Sequence, residues 1–346
     1  MRPPQVWTAN EGIAMSSIRD VTRAYCQRSD ALASASYFGT FAVYFGTLFL
    51  AVQLYGTWWL AVPLVVVNAL AGVRLYVLQH DCGHNSLFSA RWMNDWAGYG
   101  LSTFTLTPYR AMQFNHNEHH KYLGDLEERR SGEIHTMTLR EWEEADWKTR
   151  LFYRLYRNPF LLIPLGGVFV YAIRYRWPKN TTRIGAAGVL VHDALLLGWI
   201  GLLWLLGGGP ALVIYGATVV VAACAGVFLV YLQHNFEDTY WDRRPELRHD
   251  LAALQGSSAL DLGWWFDLAT GNIAYHDIHH FNANIPSYRL RKCHRAIRDE
   301  FGLPTINWPE ALRSFTLKLW DEDQGKLVPF PPARARSRAG RRNAPA

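Results

Sequence analysis

Residues 58–84 read WWLAVPLVVVNALAGVRLYVLQHDCGH. The apolar run from Trp58 to Leu78 is long enough to cross a bilayer core, which takes about 20 such residues. It ends in two histidines four residues apart. On a helix those positions share a face, so His80 and His84 can hold one ion together. The pair alone does not establish a metal site, because a histidine at a helix end serves equally well by hydrogen-bonding a nearby carbonyl. The rest of the chain has to decide.

Half of the 346 residues are apolar, with 15 Trp, 17 Tyr and 17 Phe, and the apolar residues are bunched. Three more stretches reach spanning length, at residues 37–55, 184–204 and 211–232. Very short links, QLYGTWW and LLGGGPA, join the four stretches in pairs. The expected fold is therefore an all-α integral membrane protein, with four transmembrane helices in two hairpins and a helical cap. Both links are uncharged, while Lys and Arg concentrate in the N-terminal tail, in residues 110–183 and after residue 240. The positive-inside rule then places both tips outside and the termini and cap in the cytoplasm. Arg74 falls near the cytoplasmic end of its helix, where its stem can snorkel.

These patterns divide the chain into a tail (1–34), a membrane domain (35–310) and a C-terminal segment (311–346) that ends in a disordered basic tail. The first 35 residues are polar and show no apolar core of a secretory signal. Cys26, Cys82, Cys224 and Cys293 are scattered with no CxxC spacing, which does not support a thiolate metal site or a disulfide framework. The net charge of +6 suits a cytoplasmic membrane surface or an acidic protein partner, and nothing points to nucleic acid.

Eight of the 13 histidines fall into three clusters: HDCGH (His80, His84), HNEHH (His116, His119, His120) and HDIHH (His276, His279, His280). The last two share the spacing H-x-x-H-H, which puts three imidazoles on one helical face. All three clusters lie beyond apolar helix ends on the same side. Eight converging imidazoles supply two ions. Imidazole suits Zn, Cu, Fe and Ni. A structural zinc site closes with four ligands, often including Cys. An all-nitrogen set this large fits a dinuclear redox centre, and iron suits oxygen chemistry. Asp81, Glu118 and Asp277 are placed to orient imidazoles rather than to bind metal.

These clusters resemble the three histidine boxes of the membrane fatty acid desaturase family. The resemblance continues through TPYRAMQFNHNEHH (107–120), LYRNPFLL (155–162), YLQHNFEDTYW (231–241) and TGNIAYHDIHHFNANIPSYRL (270–290), and covers about residues 35–310. The segments are most similar to bacterial acyl desaturases of the delta-12 or omega-6 type. The resemblance implies two iron ions held by the box histidines, with a ninth ligand from the QHNFE segment, His234. Two departures stand near box three: Asp277 as its second residue, and ANIPSY without a proline often present in relatives.

An oxidant made from dioxygen is needed to take hydrogen from an unactivated methylene, since no side chain is basic enough to remove such a proton. The expected substrate is a membrane lipid or acyl thioester whose chain enters a slot beside the metals. The expected products are a cis double bond and water. The chain carries no dinucleotide fingerprint and no cysteine set for an iron–sulfur cluster, so an external donor, a ferredoxin or a small cytochrome, is implied. A hydroxylase or ketolase outcome at the same centre remains open by sequence. A metal transporter would place its ligands at midplane on broken helices, and a haem protein would face single histidines across helices.

The remaining histidines read differently. His135, His249 and His294 are expected to be surface or structural. His192 with Asp193 is an ionisable pair inside an apolar stretch, hence a functional candidate unless the helix starts later. Tyr109, Phe114, Trp264, Trp265, Tyr275 and Phe281 lie near the boxes and read as interface or core aromatics rather than slot lining.

Overall fold

The computed structural model describes residues 11–129, 134–176 and 181–332. The expected disordered basic tail lies largely outside them. Fifteen helices are described: α1 (Glu11–Arg23), α2 (Asp30–Gln53), α3 (Trp58–Gly83), α4 (Arg91–Thr105), α5 (Tyr109–Lys121), α6 (Leu139–Glu144), α7 (Trp147–Tyr156), α8 (Pro159–Val168), α9 (Thr181–Ile184), α10 (Ala187–His234), α11 (His249–Gln255), α12 (Trp264–Ala269), α13 (His276–Phe281), α14 (Ser287–Phe301) and α15 (Trp308–Ser314). A π-helical turn, Phe169–Arg174, continues α8.

Three helices, α2, α3 and α10, are long and apolar enough to cross a membrane. The 48 residues of α10 form two limbs, because Gly208 adopts a non-helical conformation with φ 59° and ψ −149°. Only glycine enters that region without strain. The limbs fold back on each other. Trp199 and Tyr215 would be about 24 Å apart along a straight helix, yet their ring centroids lie 6.3 Å apart. The break therefore falls within the expected LLGGGPA link.

Two features were not read from the sequence. The N-terminal segment includes a helix, α1, which buries Ile18 and packs on α14. Residues 159–174, given no element of their own above, lie alongside the second limb of α10. A Cβ on Gly167 would sit 2.9 Å from the Ala223 carbonyl carbon, so only glycine permits this approach. The outer face of this segment exposes Phe160, Leu165 and Phe169. With α7 it forms a pair bent by 74°. Asn158 caps the new helix by accepting from the Phe160 N–H, and Pro159 starts it.

Strand structure is limited to two ladders among the described residues. β1 (Ala259–Leu260) runs parallel to β2 (Thr305–Ile306), and β3 (Leu319–Asp321) runs antiparallel to β4 (Lys326–Val328). They pair the backbone of loops buried between cap helices, where an unpaired amide is costly.

A fully buried arginine ties these parts together. Arg157, after α7, donates from Nη1 to Thr136 Oγ1 (2.7 Å) and from Nη2 to Asn235 Oδ1, one residue past α10. Its carbonyl accepts from Lys318 Nζ at 2.6 Å. Burial, and then the Arg157 charge, pull the Lys318 ammonium down to about 8. Arg157→Ala would strand two buried acceptors and is expected to cost about 3 kcal/mol, read as a lower midpoint in thermal unfolding. Arg157→Lys should recover less than half of the loss, because one ammonium cannot reproduce the planar fork.

Candidate metal centre

The two helices that end at the site carry the same tripeptide, Leu-Gln-His, at 78–80 and 232–234. Each glutamine anchors the histidine that follows it. Gln79 Nε2 donates to Ser102 Oγ (3.1 Å) and Thr107 O (3.0 Å), and Gln79 Oε1 accepts from Thr105 Oγ1 (2.7 Å). This buried network ties the end of α3 to the turn between α4 and α5, so box one and box two are held in register. Gln233 Nε2 donates to Ile273 O (2.8 Å), which ties the end of α10 to the segment before box three. Neither glutamine was singled out from the sequence, although the repeated tripeptide was there to find.

The nine histidines converge as two groups. His80, His84, His116, His120 and His279 bring one ring nitrogen each within 4.8 Å of one another, and so do His119, His234, His276 and His280. Each H-x-x-H-H box is thus divided. Its i and i+4 residues join one group, and the i+3 residue joins the other. The sequence reading had each box aiming three imidazoles one way. The two groups adjoin, with the His120 and His280 rings stacked at 4.2 Å.

The nitrogen geometry fits metal ligation and not hydrogen bonding. His116 Nε2 lies 2.8 Å from His80 Nε2 and 2.9 Å from His120 Nε2, which lies 3.0 Å from His279 Nε2. A ring nitrogen has one proton or one lone pair, so it cannot serve two such neighbours. Ligand nitrogens about 2.0–2.1 Å from one ion and at right angles to it stand about 2.9 Å apart. His84 Nε2 and His234 Nε2 are buried with no hydrogen-bond partner. Burial, then the neighbouring imidazoles, hold His116, His120, His276, His279 and His280 well below the usual histidine range. The shift of these five favours the neutral ring, the form in which an imidazole binds a metal.

The far sides of the rings are partly fixed. His234 Nδ1–H donates to Gly256 O at 3.1 Å, which leaves Nε2 for an ion. Asp81 stands 3.4 Å from His80 Nδ1 and accepts from the Ser287 N–H at 2.7 Å. Asp277 touches no box imidazole. Its Oδ1 accepts from the Ile278 N–H (2.8 Å) and from His294 Nδ1 (3.2 Å), holding α13 against α14. His294, fully buried, is structural. Glu118 makes no side-chain bond to the imidazoles among the described residues. Asp81→Ala, which removes the carboxylate beside His80 Nδ1, should lower metal retention against a chelator by about 10–100-fold, the usual effect of losing such a support.

His192 and Asp193 do not join the site. Asp193 pairs with Arg176, and both His192 nitrogens are buried without a hydrogen-bond partner. His249 is exposed.

A cavity of about 370 Å³ leads from the imidazoles into the helix bundle. His80 and His116 of one group and His119, His234 and His276 of the other line its inner end. From there it runs between α3 and the second limb of α10, past Tyr76, Tyr171 and Tyr175, to Gly72, Tyr44 and Thr218. None of the six aromatics near the boxes lines it. Its aromatics come from α2, α3, α4, the end of α7 and the π-helical segment after α8.

The chain matches the family model for fatty acid desaturase over residues 56–309. A fatty acid desaturase of Bacillus subtilis is 34% identical over 303 residues, covering 84% of each chain. The sn-1 oleoyl-lipid 12-desaturase of Synechocystis is 26% identical over 276 residues, 72% of this chain and 73% of that one. The sn-2 acyl-lipid omega-3 desaturase (ferredoxin) of Helianthus annuus is 25% identical over 249 residues, 66% of this chain and 53% of that one. With two imidazole groups at the head of one apolar slot, and with relatives of this kind along most of its length, the chain belongs to the fatty acid desaturase family.

Proposed function

We propose that this desaturase inserts a cis double bond into an acyl chain lying in the slot, with dioxygen as co-substrate and two iron ions in the two histidine groups. One observation carries the reading: the slot is open to nitrogens of both groups, so a single methylene pair can face both ions. Bound there, two irons supply dioxygen activation with external electrons. The protein does the rest. Neutral imidazoles hold the ions without competing protons. Apolar walls exclude water and keep the chain extended, and the helix ends fix which carbons reach the site. The reaction takes one –CH2–CH2– unit, O2, two electrons and two protons to –CH=CH– and two waters.

The membrane arrangement proposed is two hairpins, α2–α3 and the limbs of α10, with tips at Gly56 and Gly208 outside and the site at the cytoplasmic face of a bacterial membrane. The segment 159–174 starts beside the site and has sixteen residues, too few to cross. It dips in and returns. Its apolar outer face and the uncharged tips support this placement. The electron donor is external, and the name of the Helianthus relative favours a ferredoxin.

The test is a fatty acid profile, with double bonds located by mass spectrometry, from cells expressing the chain beside a His119→Ala/His279→Ala strain. A new double bond present only with intact boxes is expected. A hydroxylated or oxo product in its place would overturn desaturation in favour of the alternative oxidation.

A further inference from the structure

The reaction draws two electrons from outside the chain, and the described surface holds a place suited to their carrier. A groove of about 460 Å³ lies between the second half of α1 and the turn after α13. Arg19, Arg23, Arg28, Phe281 and Asn282 line it. The Arg19 and Arg23 side chains are 59% and 80% exposed. Asp250 pairs with Arg19 at 2.6 Å, and Asp20 lies 3.8 Å from Arg23, where so exposed a contact contributes little. Arg28 has no carboxylate partner among the described residues, and its Nε is buried without a hydrogen bond. Helix α14 packs against α1 but contributes no residue to the groove, and its Arg291 and Arg298 pair with Asp267 and Asp299. Even with Asp20 and Asp250 beside it, the groove is positive.

Its position matters more than its charge. Phe281 follows His280 directly, and the Arg19 guanidinium carbon lies 5.9 Å from the Phe281 ring centroid. Helix α13 has six residues and is about 9 Å long. Its first residue, His276, lines the slot, and its last, Phe281, lines the groove. The two cavities share no lining residue. An acyl head group must stay with the chain that enters the slot, so the groove is not its seat. A protein bringing electrons needs a positive, exposed concavity next to a metal-ligand imidazole and clear of the substrate. The groove has each of these properties.

We propose that this groove docks an acidic one-electron carrier, a small iron–sulfur ferredoxin, one residue from His280. The inference rests on the desaturase reading above. Two reduced ferredoxins, each oxidised by one electron, supply the pair that joins O2, two protons and the two hydrogens of –CH2–CH2– to give –CH=CH– and two waters.

The test uses the full-length, iron-loaded protein in lipid nanodiscs with a purified acidic [2Fe–2S] ferredoxin. Binding is measured by calorimetry at several salt concentrations for wild type and for Arg23→Glu/Arg28→Glu. Wild-type affinity should fall as salt rises, and charge reversal should weaken it at least about tenfold at low salt. Iron content, thermal midpoint and a single turnover driven by dithionite should stay at wild-type levels. Unchanged ferredoxin affinity in the variant overturns the docking site. So does an equal loss of dithionite-driven turnover, which would mark the arginines as structural. The two readings fail separately. Salt-sensitive binding through these arginines without any unsaturated product would sink the desaturase reading and leave the docking site. Product formation with variant binding intact would do the reverse.

Discussion

Alanine at His279 is expected to lower desaturation more than about 100-fold, beyond the 10–100-fold that loss of even a supporting group costs a metal site. His279 supplies one of five nitrogens in the first group, and its Nε2 lies 3.0 Å from that of His120. The ring is buried and opens toward the groups, so its removal takes away a ligand and leaves the helix intact. Iron should fall from two toward one per chain, because the four nitrogens around His119 are untouched. His119→Ala should show the converse loss from the second group. His249→Ala is the control, since that histidine is exposed and belongs to neither group. Equal activity for His279→Ala and wild type would remove the site as described.

Leucine at Gly72 is expected to shorten the slot. Gly72 is the slot-lining residue of α3 farthest from His80, eight residues or about 12 Å along the helix. At roughly 1.3 Å per methylene, the projection of a C–C bond of about 1.5 Å, that depth holds about nine carbons. A Cβ at Gly72 would meet Ala222 at 3.7 Å and Tyr44 at 3.8 Å, which are ordinary contacts. Gly72→Ala should therefore be nearly silent. The extra carbons of leucine must enter the slot. Each methylene of mismatch in an apolar pocket is worth about 10–200-fold in discrimination. kcat/KM for the preferred chain should fall at least about tenfold, while chains two or three carbons shorter gain relative to it. An unchanged chain-length profile in Gly72→Leu would show that the acyl chain does not lie there.

The site was legible in the sequence because its chemistry is concentrated in spacing. Three clusters of histidines after apolar helix ends name eight of the nine converging residues. His234 stands alone, so spacing could not find it, and only the resemblance to known relatives pointed there. The division of each box between two groups was not legible. Helical periodicity places i, i+3 and i+4 on one broad face, but which partner each ring meets depends on how α5 and α13 cross. The break in α10 fell on Gly208, within the three glycines of the expected link. The segment 159–174 received no element of its own from the sequence, because its burial against Ala223 depends on a glycine contact made far away in sequence. His294 gave no sequence signal beyond charged surroundings, and its partner Asp277 is seventeen residues away.

The most direct measurement is metal content per chain, by mass spectrometry on protein purified from iron-supplemented cells. Two irons per chain, with zinc near background, is the predicted result. One metal, none, or zinc in place of iron would contradict a two-iron centre formed by these nine histidines.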